Sequence, residues 1–258
     1  MMSIWDSYEN RVSVRGNTKR ETFLKREQHM LYSKLPDSLS FHTAVIDGVE
    51  REVAIINSDN LNEKTIYSMT VGDFKCGSYV KWMNNYWLVT EYDANSEVYI
   101  KAKLRQCNHL LKWIDADAVV HEQWCIIEDG TKYLTGEYED RNFVVTRGDS
   151  RIAMTIAKNE HTVKFERETR FLIDDPDVKT KLAYLLTKPL KVGWVYGNEG
   201  IYSFVLQEVV STDDDNHDLG VADYYKHFPI DNSLNSEKKE AVINPDDIQD
   251  DEGRKVWL

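Results

Sequence analysis

Between Gly72 and Trp113 the chain reads GDFKCGSYVKWMNNYWLVTEYDANSEVYIKAKLRQCNHLLKW, and this stretch restricts the fold more than any other. Apolar or aromatic residues alternate with polar ones through Tyr79, Lys81, Tyr86, Leu88, Thr90, Tyr92, Val98, Ile100, Ala102 and Leu104. A period of two sends alternate side chains to one face, so the stretch predicts three or four consecutive strands with one buried face each. Asn84-Asn85 and the run from Asp93 through Asn95 to Ser96 supply the turn residues. A small meander β-barrel of this kind, with no catalytic pattern inside it, predicts a scaffold or connector rather than an enzyme.

The remainder of the chain reads as mainly β. An N-terminal basic helical segment (1–40) precedes the barrel (41–118), a second β-rich block follows (119–225), and an acidic extended C-terminal tail closes the chain (226–258). Residues Arg11 to Lys34 carry seven basic side chains against two acidic ones, with Arg15, Lys19, Arg20, Lys25 and Arg26 among the former. Thr18 and Glu21 are spaced as a capping box, and Phe23, Leu24, Met30, Leu31 and Leu35 give a loose apolar stripe that stops at Pro36. Such a helix either packs on its own domain or projects to dock on an acidic partner.

From Phe41 to Asn57, Asp47-Gly48 separates two alternating runs and predicts a hairpin. In the second block the expected strands are Gln123–Ile127, Lys132–Gly136, Asn142–Thr146, Arg151–Ala157 and Thr162–Arg167. Asp174-Asp175-Pro176-Asp177 marks a break. Strands at Leu182–Leu186, Leu190–Tyr196 and Tyr202–Val210 follow, with Gly197 to Gly200 as a hairpin loop. They form either a third small unit or the completion of the second block. Glu208 to Asp223 holds six carboxylates, including Asp213, Asp214, Asp215 and Asp218, and no Lys or Arg. The last residues, Val256-Trp257-Leu258, form an apolar hook.

Composition narrows the function classes. The formal net charge is −12, against the basic face that a general nucleic-acid binder needs. No apolar run is long enough for a membrane helix, and the first residues lack the apolar core of a secretory signal. Three cysteines, Cys76, Cys107 and Cys125, in such a chain point to reduced thiols.

The chemistry-bearing patterns are weak. Cys107-x-His109 with His121-x3-Cys125 offers zinc-type ligands at spacings unlike common structural sites. The acidic run at Asp213–Asp218 offers oxygen ligands for calcium but lacks the Gly and Glu of an EF-hand loop, so it reads first as a solvated loop, with a divalent-cation loop or a lumen-facing acidic strip as the alternatives. Glu137, Glu139 and Asp140 are a chance pairing among 44 acidic residues, and Arg147-Gly148-Asp149 has turn chemistry. No nucleophile elbow, HExxH, P-loop or dinucleotide fingerprint occurs. No catalytic, cofactor-binding or metal-binding residue is assigned. Trp82, Trp87, Trp113, Trp124 and Trp194 suit sugar stacking in principle, but barrel packing accounts for them more simply.

The Gly72–Trp113 segment resembles the barrel of head-closure proteins from tailed bacteriophages. The shared outline is a Gly-Asp start, a strand ending in an aromatic, a tight turn, then Tyr86-Trp87-Leu88-Val89-Thr90-Glu91, a second turn, and a long strand into Cys107-Asn108. Glu128 to Tyr133, Arg170 to Asp175 and Ala222 to Tyr225 are similar to virion proteins of phages of Gram-positive bacteria. The chain is longer than small stopper proteins by its N-terminal helix and added β block.

The resemblance implies a virion neck component, present as a ring of six or twelve copies between portal or adaptor and tail. It further implies passage of double-stranded DNA without sequence-specific contacts, no membrane and no cofactor. Within that setting Arg15, Lys19, Arg20, Lys25, Arg26 and Trp257 are candidate docking residues. Asn84, Asn85, Asp93 and Asn95 are candidate channel-facing turns, and Asp213, Asp214, Asp215 and Asp218 a candidate acidic strip. The competing expectation is a tail or baseplate accessory that binds carbohydrate or a receptor.

Overall fold

The computed structural model describes residues 18–70, 72–93, 98–129 and 150–229. The expected strands Lys132–Gly136 and Asn142–Thr146, and the C-terminal tail beyond 229, lie outside the described residues. The chain is mainly β: two six-stranded sheets, both barrel-like, preceded by one helix.

Helix α1 spans Lys19–Lys34. Its first turn is capped by Thr18, whose hydroxyl accepts the Glu21 N–H at 3.2 Å, and it stops ahead of Pro36, which has no N–H to continue it. None of its residues is buried. Leu24, Gln28, Leu31 and Leu35 are half-buried, while Phe23 and Met30, expected in the apolar stripe, are exposed. With so little surface covered, α1 projects from the body instead of packing into a core.

Strands β1 (Phe41–Ile46) and β2 (Val49–Asn57) form the expected hairpin. Asp47 and Gly48 take φ of 47° and 85°, the left-handed pair that a two-residue turn between twisted strands requires. Strands β3 (Glu63–Ser68), β4 (Tyr79–Trp82), β5 (Asn85–Asp93) and β6 (Ile100–Gln106) complete a closed barrel in the order β1-β2-β3-β6-β5-β4. Closure comes from β4 pairing with β1 at Ile46–Val80. Side chains such as Ile55, Ile66, Phe74, Trp87, Val89 and Leu104 fill the interior, so this barrel is a packed core and not a pore.

Two details depart from expectation. The β4–β5 turn is Met83-Asn84, with φ of 48° and 63°, because Trp82 already pairs with Asn85. And β5 is buried on both faces: Trp87 and Val89 point into the barrel, while Leu88 packs outside it. The alternation predicts one buried face, but the second sheet lies against the other.

That sheet takes its first strand directly after β6. Strand β7 (His109–Ile114), which the sequence places in the barrel segment, pairs with β8 (Val120–Asp129). The order is β10-β11-β12-β9-β8-β7, with β9 at Arg151–Ala157, β10 at Arg170–Leu172, β11 at Ala183–Tyr196 and β12 at Glu199–Val209. β10 approaches β7, curling the sheet towards closure. Leu111, Met154, Phe165, Phe171, Leu186 and Phe204 form its core.

The expected strand at Thr162–Arg167 is instead a 3-10 turn, Thr162–Lys164. The Thr162 hydroxyl donates to the Ala157 carbonyl at 3.0 Å, which closes this turn and drives Phe165 into the core. Asp174 to Asp177 is a loop inside the sheet, since β10 and β11 on either side pair with each other. β11 continues through Pro189, with register shifts against β12 at Leu186–Lys188 and Leu190–Trp194, and the β11–β12 turn is only Gly197-Asn198. A proline fits there because β10 covers β11 only at Ala183–Leu185, leaving the far edge without a ladder to interrupt. A last helix, α2 (Tyr224–His227), ends the described chain.

Candidate docking surfaces and the seam between the sheets

The two sheets are joined into one body. At the seam Leu88, Cys76 and Cys107 meet Ile126, Ala157 and Ile201 in a buried cluster. Tyr86 stacks on Trp124 with ring centroids 4.8 Å apart. The Tyr79 hydroxyl donates to the Trp124 carbonyl at 2.5 Å and accepts from Gln123 Nε2 at 2.9 Å. Burial raises the Tyr79 phenol well above its ordinary range, so it stays a donor. Arg105–Glu128 and Lys75–Glu199 pairs flank the seam at 2.6 and 2.9 Å.

Backbone meets backbone at Gly77 and Gly200. The Gly200 N–H donates to the Cys76 carbonyl at 3.0 Å, and a Cβ on Gly77 would lie 2.3 Å from the Gly200 oxygen. The seam leaves a cleft of about 280 Å³ lined by Asp47, Lys75, Tyr79, Gln123, Asn159 and Glu199.

The candidate docking residues Lys19, Arg20, Lys25 and Arg26 all lie exposed on α1. Arg15 and Trp257 lie outside the described residues. The two candidate channel-facing turns are not together. Asn84 and Asn85 are exposed at one end of β5 and Asp93 at the other, roughly 27 Å apart at ~3.4 Å per residue. Asn95 lies outside the described residues. The two turns therefore lie at opposite ends of the barrel strand β5 and do not form one patch.

The acidic segment is not a uniform strip. Asp213 and Asp218 are exposed and Asp214 is half-buried, but the Asp215 side chain is fully enclosed. Its carboxylate takes a two-pronged contact from the Arg170 guanidinium at 2.7 and 3.0 Å and accepts the Thr212 and Asp223 N–H groups. Burial opposes the charge, but those donors and the guanidinium outweigh it and hold the Asp215 carboxyl below its usual range. Arg170 also reaches Asp223 at 2.6 Å. The clasp pins the chain after β12 onto β10. It is a structural ion pair in which both Asp215 oxygens are taken by N–H donors.

The zinc-type quartet does not converge either. Among the described residues no three of Cys107, His109, His121 and Cys125 bring ligand atoms together. All three cysteines are buried free thiols. Burial pushes Cys107 up to about 12 and raises Cys125 as well, so neither is poised as a thiolate ligand. His121 sits with Asp115 and His161 instead.

One surface escapes the sequence reading. On β11, Leu190, Val192, Trp194 and Tyr196 are 42%, 74%, 50% and 59% exposed. They occupy alternate positions on the far half of β11, where the outer edge beyond Leu186 has no strand partner among the described residues. The available signal was the L-x-V-x-W-x-Y spacing, which reads equally well as a buried face. Of the five candidate stacking tryptophans, Trp194 is exposed, whereas Trp87 and Trp113 are buried and Trp82 and Trp124 half-buried.

Among the described residues, no helix is long and apolar enough to cross a membrane. No curated protein matches the chain. A solved structure, that of K. pneumonia MrkH in its apo state, is similar over 84% of this chain and 94% of that chain, at 9% identity and a TM-score of 0.26. A likeness that loose carries no argument. The N-terminal part is more informative: residues 7–106 match the model of the YomX N-terminal domain, a phage-associated domain family. The match ends at Gln106, the last residue of β6, so it takes in α1 and the whole closed barrel and leaves out the second sheet.

Proposed function

We propose that this protein is a structural part of a tailed-phage particle, assembled in the host cytoplasm as a ring in the neck between portal or adaptor and tail. The observation that carries the assembly reading is the apolar edge of β11. Four large side chains, Leu190 to Tyr196, stand exposed on an unpaired strand edge, a surface that proteins working alone keep small or block with charge. The projecting α1 adds a second unsatisfied surface, basic where the rest of the chain is acidic. The phage-associated family match and the resemblance of the Gly72–Trp113 segment to head-closure barrels support placing that assembly in a virion. In this reading the two-sheet body bridges neighbouring rings, α1 docks on an acidic portal or adaptor surface, and the copies contact one another through β11.

Mass spectrometry of purified virions, with cryo-electron microscopy of the neck, tests this. The expected result is a stoichiometric ring next to the portal. A chain absent from virions and monomeric at high concentration overturns it.

A second reading has one observation in its favour. Trp194 and Tyr196 stand exposed two residues apart, as in a sugar-stacking platform. A glycan array with the purified chain separates the two, because a neck protein binds no glycan.

A further inference from the structure

We propose that Asp115, His121 and His161 form a binding site for a divalent transition metal of the zinc class. Three segments supply them: the turn after β7, the start of β8, and the loop after β9. One ligand atom from each lies within 4.8 Å of the others. His121 Nε2 is 2.7 Å from Asp115 Oδ2, and the two imidazole rings are 4.0 Å apart at their centroids. All three residues are half-buried, which shelters the site yet leaves a way in.

A separate observation points to a missing ligand. His161 Nδ1 is buried and has no hydrogen-bond partner. Buried ring nitrogens are normally satisfied, and an orphan is destabilising. The opposite nitrogen, Nε2, lies 3.4 Å from Glu160 Oε1. A metal on Nδ1 completes the carboxylate–histidine–metal arrangement seen around protein metal sites.

The surroundings hold the ligands in place. Asp115 Oδ1 accepts the Asp117 and Val119 N–H groups at 3.0 and 2.9 Å, which leaves Oδ2 for the histidines. Asn159 Oδ1 accepts the His161 and Thr162 N–H groups at 2.9 and 2.7 Å, and its amide donates to Gln123 on β8 at 2.6 Å. Trp113 covers the His121 ring with centroids 5.6 Å apart.

Two imidazoles and one carboxylate suit zinc and its first-row neighbours, and are a poor set for calcium or magnesium, which take oxygen. Metal–ligand bonds of ~2.0–2.1 Å in a tetrahedron place ligand atoms roughly 3.3 Å apart. The Asp115–His121 pair therefore opens slightly, His121 binds as neutral imidazole through an unprotonated Nε2 with its one remaining proton on Nδ1, and water takes the fourth position. The bound ion ties together three segments at one end of the second sheet.

The test uses the full chain, stripped with EDTA and titrated with zinc sulfate by calorimetry, and with cobalt(II) by visible absorption. The expected result is one equivalent per chain, the intense bands of tetrahedral cobalt, and a higher thermal midpoint with zinc. His161→Ala and Asp115→Asn each weaken binding by roughly tenfold or more. Circular dichroism checks the fold. If His161→Ala does not fold, the near-isosteric Asp115→Asn decides. Absence of stoichiometric binding, or equal affinity in the wild type and the folded variants, overturns the proposal.

Discussion

The Tyr79 hydroxyl on β4 donates to the Trp124 carbonyl on β8 at 2.5 Å, and through it the barrel grips the second sheet. Gln123 and the Ala157 N–H converge on the same oxygen, so one phenol serves three groups of the other sheet. Replacing Tyr79 by Phe keeps the ring and strips these contacts. Leaving buried polar groups unpaired costs about 1–3 kcal/mol. Urea unfolding of Tyr79→Phe should show that loss with little change in the denaturant slope. A variant as stable as wild type would show that the phenol is dispensable.

Gly77 and Gly197 share a positive φ and have opposite surroundings. Both have positive φ, 90° and 65°, but a Cβ at Gly77 meets the Gly200 backbone while one at Gly197 meets open space. Gly197→Ala should cost only the left-handed conformation, about 1–2 kcal/mol. Gly77→Ala also forces the two sheets apart, and its thermal midpoint should fall well below that of Gly197→Ala. Equal midpoints would mean the seam gives way without strain.

Arg170 and Asp215 make the most buried ion pair of the clasp, with side chains 11% and 0% exposed. Arg170→Ala leaves the carboxylate enclosed without its cation, at a cost of about 3–5 kcal/mol. The pH dependence follows from the lowered Asp215 pKa. The clasp's contribution is complete above the unfolded carboxylate value of about 3.9 and is lost as pH falls through the lower folded one. As pH falls through that acid range, the melting midpoint should drop more steeply in wild type than in Arg170→Ala.

The thiols should be silent in the native chain. Burial pushes Cys76 up to about 11 and Cys107 up to about 12, and raises Cys125 too. A thiol-specific reagent at neutral pH should modify none of them rapidly, and all three once guanidinium unfolds the chain. Rapid native labelling at any one would reveal a local opening of the seam.

Reversing charge on α1 separates stability from assembly. Lys19, Arg20, Lys25 and Arg26 are exposed, so replacing all four by Glu should move the melting point little, while virion incorporation should fall sharply. Normal incorporation of the reversed chain would remove α1 from the docking surface.

What the sequence determined about this protein is local. Thr18 caps α1, Asp47-Gly48 turns the first hairpin, and Arg151–Ala157 is a strand to the residue, because each rests on chemistry within a few positions. The mainly β class follows from the same short-range alternation. Tertiary structure decided the rest. β5 is buried on both faces because a second sheet lies on it, and His109–Ile114 left the barrel because β8 offered it a ladder. Asp215 changed from a surface charge to a buried ion pair because Arg170, far away in the sequence, closed over it. His121 left the cysteines beside it in sequence for Asp115 and His161, because pairing of β7, β8 and β9 brings those three segments to one end of the sheet. Among the candidate site residues, exposure of the basic helix was legible as one of two alternatives. The apolar edge of β11 was not, since the same spacing describes a strand face whether or not another strand covers it.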